Sequence, residues 1–153
     1  MDHERRRTAD ARERLREHDA DALVLSPGPE QQYLSGFATE QSKRHTLLVV
    51  PAEGEPFFVL PEMFADGARA ASWVESYHTW ADTDDPVDAL RVAFDAHDLL
   101  DGEVLVNERM WSTTTRRVLP VARTPSRRTR GPPDRIPARS PLRHQWRGRT
   151  ERA

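Results

Sequence analysis

Four aspartates stand close together between residues 82 and 88, and clustered carboxylates of this kind can bind divalent cations. They are Asp82, Asp84, Asp85 and Asp88. Pro86 interrupts the group, and the sequence lacks both the turn glycine and the closing bidentate glutamate of a calcium-binding loop. An aspartate followed directly by proline is instead typical of a helix start, where the acid caps free N–H groups. We therefore favour helix capping over a metal site.

Histidines are the other residues that could act as bases or metal ligands. The candidate histidines are His3, His18, His45, His78 and His97. No two have the i, i+4 spacing of a zinc-binding helix, and no nucleophile elbow or phosphate-binding glycine pattern is present. The chain has no cysteine, which excludes disulfides, thiolate catalysis and cysteine-ligated metals. The sequence thus predicts no catalytic, metal or cofactor site in this chain. For His45, which begins a predicted strand after a polar loop, we favour a surface or strand-edge position over catalysis.

The elements that would position these residues alternate between helix and strand. Periodicity and turn residues predict the order αβαββαβαβα. One predicted helix covers Thr8–Asp19, and a helical turn is predicted at Glu30–Leu34. Three further helices are predicted to start at Pro61, at Asp84 or Asp85, and at Glu108. The predicted strands are Ala22–Ser26, His45–Val50, Phe57–Leu60, Val74–Trp80 and Glu103–Val106. Alternation of this kind predicts an α/β fold, with a mixed β-sheet of about five strands flanked by helices. The clearest hairpin joins the strands on either side of residues 51–56.

Charge divides the 153-residue chain into two parts, although its net charge is only −2. Residues 1–111 carry 23 acidic and 11 basic side chains, a net charge of −12, whereas residues 112–153 carry two acidic residues and 12 arginines, a net charge of +10. Half of the 12 prolines lie in the second part. We predict a folded domain over 1–111 and a disordered Arg/Pro-rich tail over 112–153. The acidic first part, with its single lysine, resembles halophilic proteins, so its stability should rise with salt.

The tail has three explanations. Arginine clusters could bind the phosphate backbone of nucleic acid, although Trp146 is the only tail residue able to stack on a base. The basic tail could also fold back on the acidic part or bind an acidic partner. The chain has 22 arginines and one lysine, which suggests GC-rich coding, and we rank a frameshifted tail first.

With no apolar run near the roughly 20 residues that span a membrane, and no secretory signal, we expect a cytoplasmic protein.

Residues 33–37, Tyr-Leu-Ser-Gly-Phe, belong to a recognisable pattern that starts with a helix carrying Arg-x-x-Leu. They follow the strand Asp-Ala-Leu-Val-Leu and precede Leu-Leu-Val-Val-Pro with its Glu-Gly-Glu-Pro turn. This order resembles the N-terminal domain of the creatinase/prolidase group, the Xaa-Pro aminopeptidases and dipeptidases, over roughly Thr8–Trp111. The resemblance implies a mixed-sheet α/β domain that contributes dimer contacts and shapes the substrate entrance. It also implies a separate pita-bread domain, where two Asp, one His and two Glu bind two divalent metal ions.

None of those metal ligands can be placed on this chain, so we expect a module truncated before the catalytic domain and not an enzyme as it stands. The matched residues Tyr33, Leu34, Ser35, Gly36 and Phe37 have structural roles: the glycine adopts a backbone angle closed to other residues, and Tyr33, Leu34 and Phe37 pack a short helix on the sheet. We expect a homodimer and no membrane association. The alternative function is a small interaction protein whose tail binds nucleic acid or an acidic partner.

The polar loop Ala38–Arg44 is the segment that the resemblance would place near a partner subunit's active site. Its candidate entrance residues, with the histidine that follows, are Thr39, Glu40, Arg44 and His45. An ordinary surface loop remains the alternative.

Overall fold

The computed structural model describes residues 2–123, and these form five helices and five strands in the predicted order. The elements are α1 (Asp2–Glu17), β1 (Ala22–Leu25), α2 (Pro29–Ser35), β2 (Leu47–Pro51), β3 (Phe57–Pro61), α3 (Glu62–Ala71), β4 (Ser76–Trp80), α4 (Pro86–Ala96), β5 (Val104–Val106) and α5 (Ser112–Ala122). None of the helices in this part of the chain is long and apolar enough to cross a membrane.

The five strands form one mixed sheet in the order β4-β3-β2-β1-β5. β2 pairs antiparallel with both β1 and β3, which confirms the predicted hairpin. β1 pairs parallel with β5, and β3 pairs parallel with β4. Four strands therefore run in one direction and β2 alone runs in the other, so β1, β3, β4 and β5 all end at the same edge of the sheet. The predicted α/β class and mixed five-stranded sheet are confirmed.

Each face of the sheet is covered by its own layer of helices. Every residue of β2 and β3 is buried, as expected for central strands with helices on both sides. Val49 and Phe57 point towards the layer of α4 and α5, whereas Leu48 and Phe58 point towards the layer of α1, α2 and α3. The alternation follows the two-residue period of a strand, which sends neighbouring side chains to opposite faces.

Pro61 has a different place from the predicted one. It does not open a helix but ends β3, where it stands opposite Trp80 of β4, and it precedes the first residue of α3. Its φ of −58° and ψ of 142° are extended. Proline is tolerated at the end of a strand because few ladder hydrogen bonds depend on its missing N–H there. The predicted aspartate cap is confirmed: the Asp85 side chain accepts a hydrogen bond from the Val87 N–H at 2.8 Å.

Helix α5 corrects the prediction that the tail starts at residue 112. Residues 112–122 are helical, and Val118, Val121 and Ala122 are buried in the same core as Phe94 of α4. Composition missed the helix because it contains two arginines and a proline and opens an arginine- and proline-rich part of the sequence, although Val118 and Val121 stand at a helical spacing of three. The predicted last helix also starts at residue 112 and not at Glu108. The rest of the predicted tail, residues 124–153, lies outside the described residues.

Candidate functional site at the carboxyl edge of the sheet

The candidate site lies at the edge of the sheet where β1, β3, β4 and β5 end. In open α/β sheets, ligands bind outside the carboxyl ends of the strands. Here that edge brings together the segments that follow β1, β4 and β5 and the loop 38–46 that precedes β2. We call these segments the carboxyl edge.

The Gln41 side chain fastens the loop to the ends of two strands. Its Nε2 donates to the Ser26 Oγ at 3.2 Å, the Pro27 carbonyl at 3.3 Å and the Arg109 carbonyl at 2.8 Å. The Oδ1 atom of buried Asn107 accepts from both the N–H and the hydroxyl of Ser26 at 3.2 Å. The segments that follow β1 and β5 are therefore joined to each other and to the loop.

Arg44 binds Asp82 through two parallel hydrogen bonds. Nε donates to Oδ1 and Nη2 donates to Oδ2, each at 2.8 Å. The hydrogen bonds from Arg44 lower the pKa of Asp82, and in return Asp82 raises the pKa of Arg44. This bidentate pair links the loop to the segment between β4 and α4. Asp82 of the sequence cluster thus serves as an ion-pair partner, as does Asp88, which pairs with Arg91 at 2.8 Å.

His45 connects the loop to α5. Its Nδ1 lies 3.1 Å from the Thr114 Oγ1, and its Nε2 lies 2.6 Å from the Arg117 Nη1. Since a guanidinium only donates, Nε2 must accept, and the neutral ring carries its proton on Nδ1. Burial, followed by the charge of Arg117, lowers the pKa of His45. The Nε2 lone pair that a catalytic base would need is therefore occupied by Arg117.

The remaining two candidate loop residues face solvent. Glu40 is exposed and Thr39 is partly exposed, whereas Arg44 and His45 are held against neighbouring elements. The structure therefore divides the predicted entrance residues into an anchored pair and an exposed pair.

Gly36 ends α2 in the left-handed region with φ 84°, and its N–H donates to the Gln32 carbonyl at 2.8 Å. A Cβ at this position would lie 2.9 Å from the backbone oxygen of Ala71, at the end of α3. Both the backbone angle and the close approach require glycine. Phe37 then turns into the core, where its ring meets Phe58 edge to face at 5.9 Å.

Side chains from α1 bind the last carbonyls of α2. Thr8 Oγ1 donates to the Leu34 carbonyl at 3.1 Å, and Arg7 Nη1 donates to the Tyr33 carbonyl at 3.3 Å. The Arg7 guanidinium also lies 4.0 Å from the centre of the Tyr33 ring. Helix ends leave such carbonyls without intrahelical partners, so these contacts fix α1 against α2.

The residues that follow α3 complete the same cap. Ser72 Oγ donates to the Ser35 carbonyl at 2.7 Å, and Trp73 Nε1 donates to the Leu34 carbonyl at 2.9 Å. Residues 33–37 therefore contact three helices. Leu34 and Phe37 are buried, whereas Tyr33 is 55% exposed and lies against Arg7 of α1 and not in the core, which differs from its predicted place.

Two histidines that sequence spacing did not connect are in contact. His78 of β4 and His97, directly after α4, have their Nε2 atoms 3.1 Å apart. Both rings are partly buried, and this burial lowers the pKa of each. No sequence motif predicts the pair, because the contact depends on how α4 crosses the sheet.

Within residues 2–123, no group of three or more histidine, aspartate or glutamate side chains is arranged to hold a metal ion. A dinuclear centre of two Asp, one His and two Glu therefore does not fit the described residues.

The family described as the Creatinase/Prolidase N-terminal domain matches residues 7–119 of the chain. Among curated proteins, the putative dipeptidase YkvY of Bacillus subtilis (strain 168) is 41% identical over 61 residues, which are 40% of this chain and 17% of that protein. The probable dipeptidase PepE of Mycobacterium bovis is 37% identical over 67 residues, 42% of this chain and 18% of that protein. The match thus spans less than a fifth of the length of these relatives.

Solved structures of similar fold include the dipeptidase PepE from Mycobacterium ulcerans, with a TM-score of 0.71 and 25% identity. The similarity covers 80% of this chain and 33% of that one. The N-terminal domain of an Xaa-Pro dipeptidase from Lactobacillus brevis has a TM-score of 0.70 at 18% identity, covering 79% of this chain and 91% of that domain. The second likeness is one of fold alone.

Proposed function

Because the chain belongs to the creatinase/prolidase N-terminal domain family, we propose that it is the non-catalytic N-terminal domain of an Xaa-Pro metallopeptidase-like protein. The curated relatives carry the names putative dipeptidase and probable dipeptidase, and the family match of this chain is to an N-terminal domain. In this proposal hydrolysis belongs to a separate metal-binding domain. The N-terminal domain contributes to a homodimer and forms one wall of the substrate entrance.

The proposal is carried by one observation: the polar side chains at the carboxyl edge bind other parts of the protein. Gln41, Arg44 and His45 each hold the loop to a different neighbour, and Arg117 occupies the one histidine lone pair there. Nothing in this arrangement activates a nucleophile, which would need a free base within hydrogen-bonding reach. A loop fixed at three points instead supplies a rigid surface of defined shape, which suits an entrance wall.

An activity assay tests the non-catalytic part of the proposal. The purified chain is incubated with Xaa-Pro dipeptides and Mn²⁺, Co²⁺ or Zn²⁺, beside a full-length dipeptidase as positive control. We expect release of proline from the control alone. Metal-dependent turnover that co-purifies with the chain would overturn the proposal.

The dimer is tested by sedimentation equilibrium of the purified chain across a range of concentrations. We expect a monomer–dimer equilibrium, and a monomer at every concentration would remove this part of the proposal.

The entrance role is tested in a chimera in which residues 1–123 replace the N-terminal domain of a PepE-type dipeptidase. Reversing the exposed charge with Glu40→Arg should change KM more than kcat, because the residue would meet substrate on its way to the active site. Glu13→Arg, an equal charge reversal at an exposed position on α1, is the matched control. Equal effects of the two substitutions would show that Glu40 has no entrance role.

A further inference from the structure

His78 and His97 form a side-chain cluster on the α4 side of the sheet, away from the loop 38–46. Their Nε2 atoms are 3.1 Å apart, and the ring centres are 5.3 Å apart at 80°. The Phe57 ring stacks on His97 with centres 3.8 Å apart and meets His78 edge to face at 5.4 Å. Phe57 is fully buried, so both imidazoles rest against a rigid support.

The backbone around each histidine is also fixed. His78 lies in β4 opposite Val59 of β3. His97 directly follows α4, and its N–H donates to the Ala93 carbonyl at 3.2 Å. The Leu99 N–H, which donates to the Phe94 carbonyl at 2.8 Å, closes the turn that follows. A strand and a helix end therefore hold the two rings in place before any ligand binds.

The separation of the two nitrogens suits a shared metal ion. Zinc binds imidazole nitrogen at about 2.0–2.1 Å, and a tetrahedral angle then places two such nitrogens about 3.3–3.4 Å apart. The observed 3.1 Å differs from this by a few tenths of an ångström. On binding, each ring would turn so that its Nε2 lone pair points at the ion and not along the line between the two nitrogens. Both rings are partly exposed, so water can reach the remaining coordination positions.

We propose that His78 and His97 form a two-histidine binding site for a borderline divalent cation such as Zn²⁺, completed by water. Imidazole is a preferred ligand of such ions. The site is separate from the carboxyl edge and does not depend on the function proposed above. A bound ion would join the edge strand β4 to α4.

The protons balance without an external base. In the metal-free pair, one Nε2–H donates to the other Nε2, so at least one ring carries its proton on Nε2. When the ion binds, both Nε2 atoms donate lone pairs, and the ring that carried its proton on Nε2 exchanges it with water for one on Nδ1, so both neutral rings then carry the proton on Nδ1. Binding thus changes the tautomer and releases no proton from two neutral rings.

Calorimetric titration of the full chain with Zn²⁺ tests the site, with the thermal midpoint as a second readout. We expect one zinc site and a higher midpoint in zinc. His78→Ala and His97→Ala should each weaken binding about tenfold or more, because even the loss of outer-shell partners of a ligand costs 10–100-fold. His3→Ala removes an exposed histidine of α1 and should leave the affinity unchanged.

His97→Gln guards against loss of fold, because glutamine can still hydrogen-bond to His78 but is a poor zinc ligand. It should retain the metal-free midpoint and lose the zinc-induced rise. Should the variants fail to fold, the ¹⁵N shifts of the imidazoles in the parent chain decide. Zinc-induced changes at Nε2 of both residues support the site. Unchanged Nε2 shifts at these rings, or equal zinc affinity in all variants, would overturn it.

Discussion

Among single residues, Gly36 combines a positive φ with a close backbone neighbour. Its φ is 84°, and an added Cβ would lie 2.9 Å from the Ala71 carbonyl oxygen. Gly54, in the turn between β2 and β3, has a similar φ of 100° with no atom within 4 Å of the added Cβ. Both glycines need a positive φ, and only at Gly36 is there also no space for a Cβ.

Alanine substitution should therefore separate the two requirements. We expect Gly36→Ala to lower the free energy of unfolding by about 3 kcal/mol, from backbone strain together with overpacking against α3. Gly54→Ala should cost about 1 kcal/mol, from strain alone. Urea denaturation measures both. Equal costs would mean that α3 moves aside and that the close approach is unimportant.

His45 should make stability depend on pH in one direction. Its folded pKa lies below the ordinary value of 6.5, so the unfolded chain takes up a proton first as the pH falls. Stability is then unaffected above about pH 7.5 and falls as the pH drops through 6.5 towards the folded pKa. His78 and His97 act in the same direction. Lowering the pH from 7.5 to about 5.5 should destabilise the protein.

The substitution His45→Gln isolates the contribution of His45 to the pH dependence of stability. Glutamine can still donate a hydrogen bond to Thr114 and accept one from Arg117. Chemical denaturation at several pH values should show a shallower loss of stability in this variant than in the parent chain. His3→Gln, at an exposed position, is the control and should follow the parent chain. A parent-like curve for His45→Gln would show that burial and the charge of Arg117 do not hold this ring neutral.

At the scale of elements, α5 contributes to the core although its sequence resembles a solvated tail. Val118 is fully buried, and the small gap around it is lined by residues that include Trp80 and Leu90. We expect Val118→Ala to lower the free energy of unfolding by about 1–3 kcal/mol, because the vacated volume cannot be filled.

The control on the same helix is Thr113→Ala, at an exposed position where alanine is the better helix former. It should leave stability within about 0.5 kcal/mol of the parent chain. If thermal and urea denaturation show no difference between the two variants, α5 does not belong to the cooperative unit.

Local patterning was sufficient to predict most of the elements, their order and the hairpin. The run Leu47–Val50 and the Asp85–Pro86 start of α4 carry signals that do not depend on tertiary contacts. Helix α5 was missed because charge and proline content outweighed a two-valine stripe. The contacts of His45 with Thr114, and of His78 with His97, span 69 and 19 residues and require the folded sheet.

At the scale of the whole molecule, residues 1–123 carry a large excess of negative charge. Residues 1–123 carry 23 acidic and 14 basic side chains. The ion pairs among residues 2–123 join exposed carboxylates to arginines, and each such pair contributes little to stability. Net repulsion should therefore outweigh them, and screening should relieve it.

We accordingly expect the urea midpoint to rise as KCl is increased from about 0.05 M to 1 M, where the Debye length falls to about 3 Å. A chain ending at Arg123 lacks the nine arginines that follow and should show the steeper rise. A flat or falling midpoint in both chains would refute the salt dependence.

The position of β1 between β2 and β5 has a consequence for the order of folding. Leu25 pairs with Leu48 on one side, whereas Ala22 pairs with Val104 on the other, far along the chain. Closing the longer loop costs more entropy, so β5 should join after the first four strands have assembled. During synthesis, one edge of β1 stays open until residues 104–106 leave the ribosome. In that interval a nascent chain is most exposed to pairing with a neighbour.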